Sequence, residues 1–242
     1  MDLSQNIKAV QERIAAAARA AGRDPGEISL CAATKVQTDE TIRSAIAGGI
    51  RLCGENRVQE LTAHLETGAY AGAEVHFIGH LQTNKVKQVV GRVSLIHSVD
   101  SERLLRAVAA QADKLGLVQD ILLEVNIAGE QSKGGVSPEE LPQLAGLAAG
   151  CPHVRLRGLM AIPPVSTLPG ANRRYFSEMR NLFVDIMKKM SDNQSVMDCL
   201  SMGMSADYED AIAEGATLVR VGTALFGPRP PHEPRPLTAP CP

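Results

Sequence analysis

Hydrophobic and polar positions alternate along the chain in two rhythms. Short, nearly unbroken apolar runs occur at 28–35 ("ISLCAATK"), 50–56 ("IRLCGEN"), 75–80 ("VHFIGH"), 94–100 ("SLIHSVD"), 120–128 ("DILLEVNIA"), 154–162 ("VRLRGLMAI"), 197–205 ("MDCLSMGMS") and 217–227 ("TLVRVGTALFG"). Runs without period-two alternation are strands buried on both faces, as in a parallel sheet. Between them lie helical patterns: "TDETIRSAIAGG", "SERLLRAVAAQADKLG", "SPEELPQLAGLAAG", "ANRRYFSEMRNLFVDIMKKM" and "SADYEDAIAEG". Several carry start and stop signals. Ser137 precedes Pro138, Ser205 or Ala206 precedes acidic residues, and Gly49 and Gly215 follow apolar positions. Before the first strand, Ile7, Val10, Ile14, Ala17 and Ala18 recur at helical spacing, with Gly22 as the stop.

Eight strands alternating with helices predict an α/β protein, a (β/α)8 TIM barrel with an extra N-terminal helix. A doubly wound sheet is the rival; the first strand, however, runs into "ATKVQTDE", which lacks a G-x-G-x-x-G turn. The expected organisation is one barrel domain over residues 1–228. The proline-rich segment 229–242 reads as a disordered tail.

A length of 242 residues and 44% hydrophobic content suit one large core. The net charge of −2 supplies no basic field for nucleic acid. No segment approaches the ~18 apolar residues of a membrane span, and the N-terminus reads as an amphipathic helix with no signal peptide. A cytoplasmic location is expected. The five cysteines, an odd number without a CxxC pair, argue against a disulfide framework or a zinc site. No histidine stands in sequence as an obvious base for a catalytic thiol.

In such a barrel the chemistry gathers where strands end. Lys35 closes an apolar run there, Asn56 follows the second strand, and His80 follows the third. Asp100, Asn126 and Met160 close the fourth to sixth. Ser205, Gly222 and Thr223 come from the last two, the usual place for a phosphate cup. Ser205 is equally readable as a helix cap and Gly222 as a strand end. Arg220 interrupts an apolar strand two residues before Gly222, so it shares that residue's face, and a guanidinium there needs a partner. A lysine, an arginine and a phosphate cup around one cavity suggest a phosphorylated aldehyde held as an imine. Burial beside a cation would lower the amine's pKa from ~10.4.

The fragments "AATK", "CGENRVQE", "HFIGHLQTNK", "IHSVDS", "VNIAGEQSKGGV", "GLMAI", "LSMGMSADYEDAI" and "VRVGTALFG" together resemble the YggS/PROSC family of pyridoxal 5′-phosphate (PLP) homeostasis proteins over about residues 5–227. That family is similar to the barrel of alanine racemase, the fold-type III PLP proteins. The resemblance implies PLP as cofactor and Lys35 as the imine-forming lysine. It also implies Arg220 facing the pyridine nitrogen and Ser205, Gly222 and Thr223 around the phosphate. Asn56 and Met204 are implied as further cofactor contacts, and His80 as a pocket-side residue. Lys133 matches a loop lysine tied to cofactor handling and is also readable as a solvated loop charge. The sequence departs from the pattern after Lys35, where "VQT" replaces a basic residue and proline, and at Arg57, where an aromatic residue is common.

The function implied is a PLP carrier without appreciable catalysis, taking part in vitamin B6 homeostasis and releasing PLP to apoenzymes, as a monomer or weak homodimer. The alternative is an amino-acid racemase-like PLP enzyme. A racemase of this kind needs a tyrosine from a C-terminal β-domain, and the short proline-rich stretch after the eighth strand is not expected to form one. Tyr70, Tyr175 and Tyr208 are expected on helix or loop surfaces. An aldolase that binds a phosphorylated sugar as an imine is a third reading, with less support from the fragments.

Overall fold

Eight parallel strands close into a barrel in chain order, with β8 returning to pair with β1. In the computed structural model, which describes residues 2–130, 133–166, 168–190 and 197–228, they are β1 Ser29–Ala33, β2 Leu52–Glu55, β3 Glu74–Phe77, β4 Leu95–Val99, β5 Gln119–Val125, β6 Val154–Ala161, β7 Cys199–Ser201 and β8 Leu218–Val221. The helices are α1 Leu3–Ala20, α2 Asp39–Ala47, α3 Val58–Glu66, α4 Glu102–Leu115, α5 Leu141–Ala149, α6 Arg173–Met190, α7 Tyr208–Ala213 and α8 Thr223–Phe226. A 3-10 helix, Thr83–Gln88, replaces an α-helix between β3 and β4.

The expected barrel and its leading helix are both present. α8 is a single turn, too short to cover β8, and α1 packs against α7 and α8 to supply the missing wall. Its apolar stripe Ile7, Val10, Ile14 and Ala18 is buried, which contributes roughly 1.5–3 kcal/mol per large side chain. Asn6 Nδ2 donates to the Leu225 carbonyl at 2.8 Å and ties α1 to α8. The main core lies between strands and helices. Inside the barrel the apolar residues form two small clusters, Cys31, Ala33, Leu52, Ile78 and Leu218 on one side and Leu95, Leu122 and Met160 on the other.

Three local expectations are corrected. α5 begins at Leu141; the Ser137 hydroxyl instead accepts the Glu140 N–H at 3.3 Å, closing a turn before the helix. Ser205 does not open α7, which starts at Tyr208. Two tyrosines placed on the surface are buried, Tyr70 at 4% and Tyr208 at 1% exposure, because their rings fill space between layers. The 229–242 tail lies outside the described residues. Among the described residues no helix is long and apolar enough to cross a membrane.

Candidate functional site

β8, β1 and β2 are neighbours, so the residues at their carboxyl ends meet on one side of the barrel mouth. β1 stops at Ala33, and Lys35 stands in the turn just beyond, half-buried. The next residue, Val36, has φ +60°, a conformation that costs a β-branched residue about 1–2 kcal/mol. Its N–H donates to Glu60 Oε2 at 2.9 Å, so α3 holds the strained turn that carries Lys35. The register pairs Ala33 with Gly54, which brings Asn56 alongside.

A buried polar knot fixes both positions from outside the barrel. Glu55 accepts the N–H groups of Asn56 at 2.6 Å and Arg57 at 3.2 Å. It also accepts the Tyr70 hydroxyl at 3.2 Å, and Thr34 Oγ1 lies 3.4 Å away. Burial raises the pKa of this carboxyl, while the backbone N–H groups oppose the shift. Glu55 carries no motif of its own, and the sequence reading missed it. A Cβ at Gly79 would lie 2.0 Å from the Asn56 carbonyl, so only glycine lets the β3 exit pass over Asn56. The Asn56 side-chain oxygen is buried and unpartnered.

Ser205 caps the start of α8 and not the helix that follows it in sequence. Its Oγ accepts the N–H groups of Gly222 at 3.1 Å and Ala224 at 3.3 Å, at the start of α8. With two donors directed into its oxygen, the hydroxyl proton remains to be donated to an anion. Gly222 precedes α8 as its cap and Thr223 is the first helical residue, exposed at the mouth. A Cβ at Gly222 would make ordinary contacts with Ala33 at 3.5 and 3.6 Å, so nothing in the chain itself demands glycine there. Met204 is half-buried, its N–H held by Asp207 Oδ1 at 2.8 Å.

The other side of the mouth holds a cavity of about 300 Å³ lined by Asn56, His80, Glu124, Asn126, Lys133 and Gly134, among others. Asn56 links the two sides. The loop after β5 folds back so that Asn126 N–H reaches the Val136 carbonyl at 2.9 Å. That return passes so close that a Cβ at Gly135 would lie 2.5 Å from the Asn126 nitrogen, and its φ of +113° likewise requires glycine. Lys133 Nζ donates to Glu130 Oε1 at 2.7 Å and to the Pro163 carbonyl at 3.1 Å, so it bridges two loops over the cavity. Glu124 was not singled out in the sequence. Burial, reinforced by Asp100 and opposed by Arg220, lifts its pKa to about 7.

Arg220 lies inside the barrel, 4% exposed, on the face anticipated from the strand period. Its partners are neutral: NH1 donates to the Ser201 carbonyl at 3.0 Å and to Ser201 Oγ, and NH2 to the Ala161 carbonyl at 2.9 Å. Ser201 Oγ is also 3.0 Å from His97 Nδ1, and His97 Nε2 is 2.9 Å from His76 Nδ1. Four described cysteines are free thiols. Burial pushes Cys53 and Cys199 up to about 12 and Cys31 higher, so these three are protonated packing groups.

The closed barrel of eight parallel strands with a leading helix belongs to the class of alanine racemase-like barrels. The family model "Alanine racemase, N-terminal domain" matches residues 5–230. A protein of Aquifex aeolicus named pyridoxal phosphate homeostasis protein is 43% identical over 229 residues, covering 95% of this chain and 99% of that one. PipY of Synechococcus elongatus PCC7942, solved with PLP bound, superposes with a TM-score of 0.82 at 31% identity, covering 93% of this chain and 100% of that one. Alanine racemase of Streptomyces lavendulae shares the fold alone, with a TM-score of 0.72 at 16% identity over 94% of this chain and 58% of that one. The chain therefore belongs to the alanine racemase N-terminal domain family and, within it, to the YggS/PROSC group of pyridoxal phosphate homeostasis proteins.

Proposed function

We propose that this protein binds PLP as an imine on Lys35 and releases it to apoenzymes in the cytoplasm, with no appreciable turnover of its own. The observation that carries the reading is the placement of Lys35 just past β1, next to β8, from whose end Gly222 and Ala224 donate their N–H groups to Ser205. A phosphate would take the Ser205 proton, which is left free because the Gly222 and Ala224 N–H groups donate to the Ser205 oxygen, and the Thr223 hydroxyl. The orphaned Asn56 oxygen would accept a ligand hydroxyl, and Met204 would pack beside the phosphate residues. These features fit PLP, and PipY was solved with PLP bound. Bound PLP supplies an aldehyde that condenses reversibly with amines.

The remaining chemistry lies with the chain. A guanidinium is an obligate donor and stays protonated, so Arg220 can only hold a pyridine nitrogen that lacks its proton. A ring held so is a weak electron sink, which suits storage more than chemistry at an amino acid's α-carbon. Tyr70 points its hydroxyl at Glu55 on the outer layer, and no tyrosine lines the mouth cavity among the described residues. Borohydride reduction of the PLP-loaded protein, followed by peptide mass mapping, tests the assignment. The pyridoxyl mass is expected on Lys35, and an adduct found only on Lys133 would overturn it.

A further inference from the structure

We infer that Ser201 and His97 form a positioning pair that aims Arg220 at the ring nitrogen of the bound cofactor, an inference that rests on the PLP reading above. Arg220, Ser201, His97 and His76 make an unbroken polar line across the barrel interior, from β8 and β7 to β4 and β3. All four are buried, Ser201 and His97 completely. The two apolar clusters lie on either side of this line. Apolar side chains of similar volume would fill the interior without the cost of stripping water from four polar groups. Stability alone therefore does not account for the line.

Arg220 fixes the donor at one end of the line. Arg220 can only donate, so Ser201 Oγ accepts from it, and in the arrangement we infer the hydroxyl sends its own proton to His97 Nδ1. That leaves His97 with its proton on Nε2, donating to His76 Nδ1. His76 then carries its proton on Nε2, which lies 3.9 Å from the Glu74 carboxylate at the amino-end rim. The arrangement requires both imidazoles to be neutral. Burial lowers both, His76 to about 4 and His97 well below its ordinary value, and Arg157 and His76 respectively add to the effect. With every donor pointing the same way, each bond polarises the next. The Ser201 hydroxyl, which would otherwise rotate, is held in the one orientation that keeps its lone pairs on Arg220. The guanidinium, anchored also on the Ser201 and Ala161 carbonyls, is thereby held in a single plane. Both histidines lie behind Ser201 as seen from Arg220, so in this reading they act on a ligand only through Arg220.

The test compares PLP with its 1-deaza analogue, in which a C–H replaces the ring nitrogen, by equilibrium dialysis against the full chain. The wild-type protein should prefer PLP by roughly tenfold to a hundredfold, the worth of one hydrogen bond to a charged donor. Ser201→Ala and His97→Leu should each shrink that preference to within about threefold of unity. Loss of packing alone would weaken both ligands equally and leave the ratio untouched. His97→Asn, whose amide can still accept from Ser201, should restore much of the preference. Ser201→Ala removes a single oxygen and keeps the test available if His97→Leu fails to fold. An unchanged ratio in Ser201→Ala, or in a folded His97→Leu, overturns the inference. No preference in the wild type would overturn the Arg220 contact itself, and the positioning role with it.

Discussion

Replacing Glu124 by glutamine should stabilise the ligand-free protein at neutral pH and remove a pH dependence that the wild type carries. Glu124, one residue before the end of β5, is 9% exposed and faces the mouth cavity. Its pKa is lifted from 4.5 to about 7, chiefly by burial. A folded state that holds a proton more tightly than the unfolded chain is favoured by acid. The contribution of this proton is therefore complete below about 4.5 and is lost as pH rises through about 7. The gap corresponds to roughly 3 kcal/mol. Glutamine is nearly isosteric and never ionises, so it keeps that contribution at every pH. Urea unfolding of both proteins without PLP, at steps from about pH 5 to about pH 8, measures the difference by linear extrapolation. Ligand must be absent because binding adds its own stabilisation. The variant should gain on the wild type by about 2–3 kcal/mol across that range. Glu55, also raised, is present in both proteins and cancels. A constant difference at all pH values would show that Glu124 is ionised in a hydrated setting and would refute the reasoning.

Three further outcomes are expected. Ser205→Ala should weaken PLP by about tenfold or more while leaving pyridoxal, which lacks the phosphate, nearly unchanged in the same dialysis. Gly79→Ala should lower stability by at least ~1–3 kcal/mol in urea, since its methyl would lie 2.0 Å from the Asn56 carbonyl, and should weaken PLP as Asn56 moves. PLP-loaded protein incubated with L-alanine in deuterium oxide should show no α-proton exchange by proton NMR at enzyme-like rates; exchange on the order of 1 s⁻¹ would favour a racemase-like enzyme.

Much of the frame was legible because it rests on local periodicity. Eight apolar runs became eight strands, and the stripe from Ile7 to Ala18 became the buried face of α1. Lys35 and Arg220 stood out as charges in apolar strands, a contrast visible without any contact. The errors have a common source in side-chain partners distant in sequence. Ser205 resembled a cap for the helix after it, yet its oxygen serves N–H groups 17 and 19 residues later. Tyr70 sat in a polar turn, and only the meeting of β1, β2 and the following loop buried its ring beside Glu55.

What the sequence determined by itself is the alternation of strand and helix, the closing order it implies and the charged exceptions at strand ends, because each depends on residues a few positions apart. What the tertiary structure alone decided is which exceptions meet. His76, His97, Ser201 and Arg220 come from four strands, β3, β4, β7 and β8. Neighbouring strands supply the contacts at either end, and the central one, His97 to Ser201, exists only because β4 and β7 face one another across a closed barrel. Glu124 has its raised pKa for the same reason, as closure strips water from its carboxyl and sets Asp100 beside it. Burial and long-range pairing are properties of the closed sheet, and no window of sequence contains them.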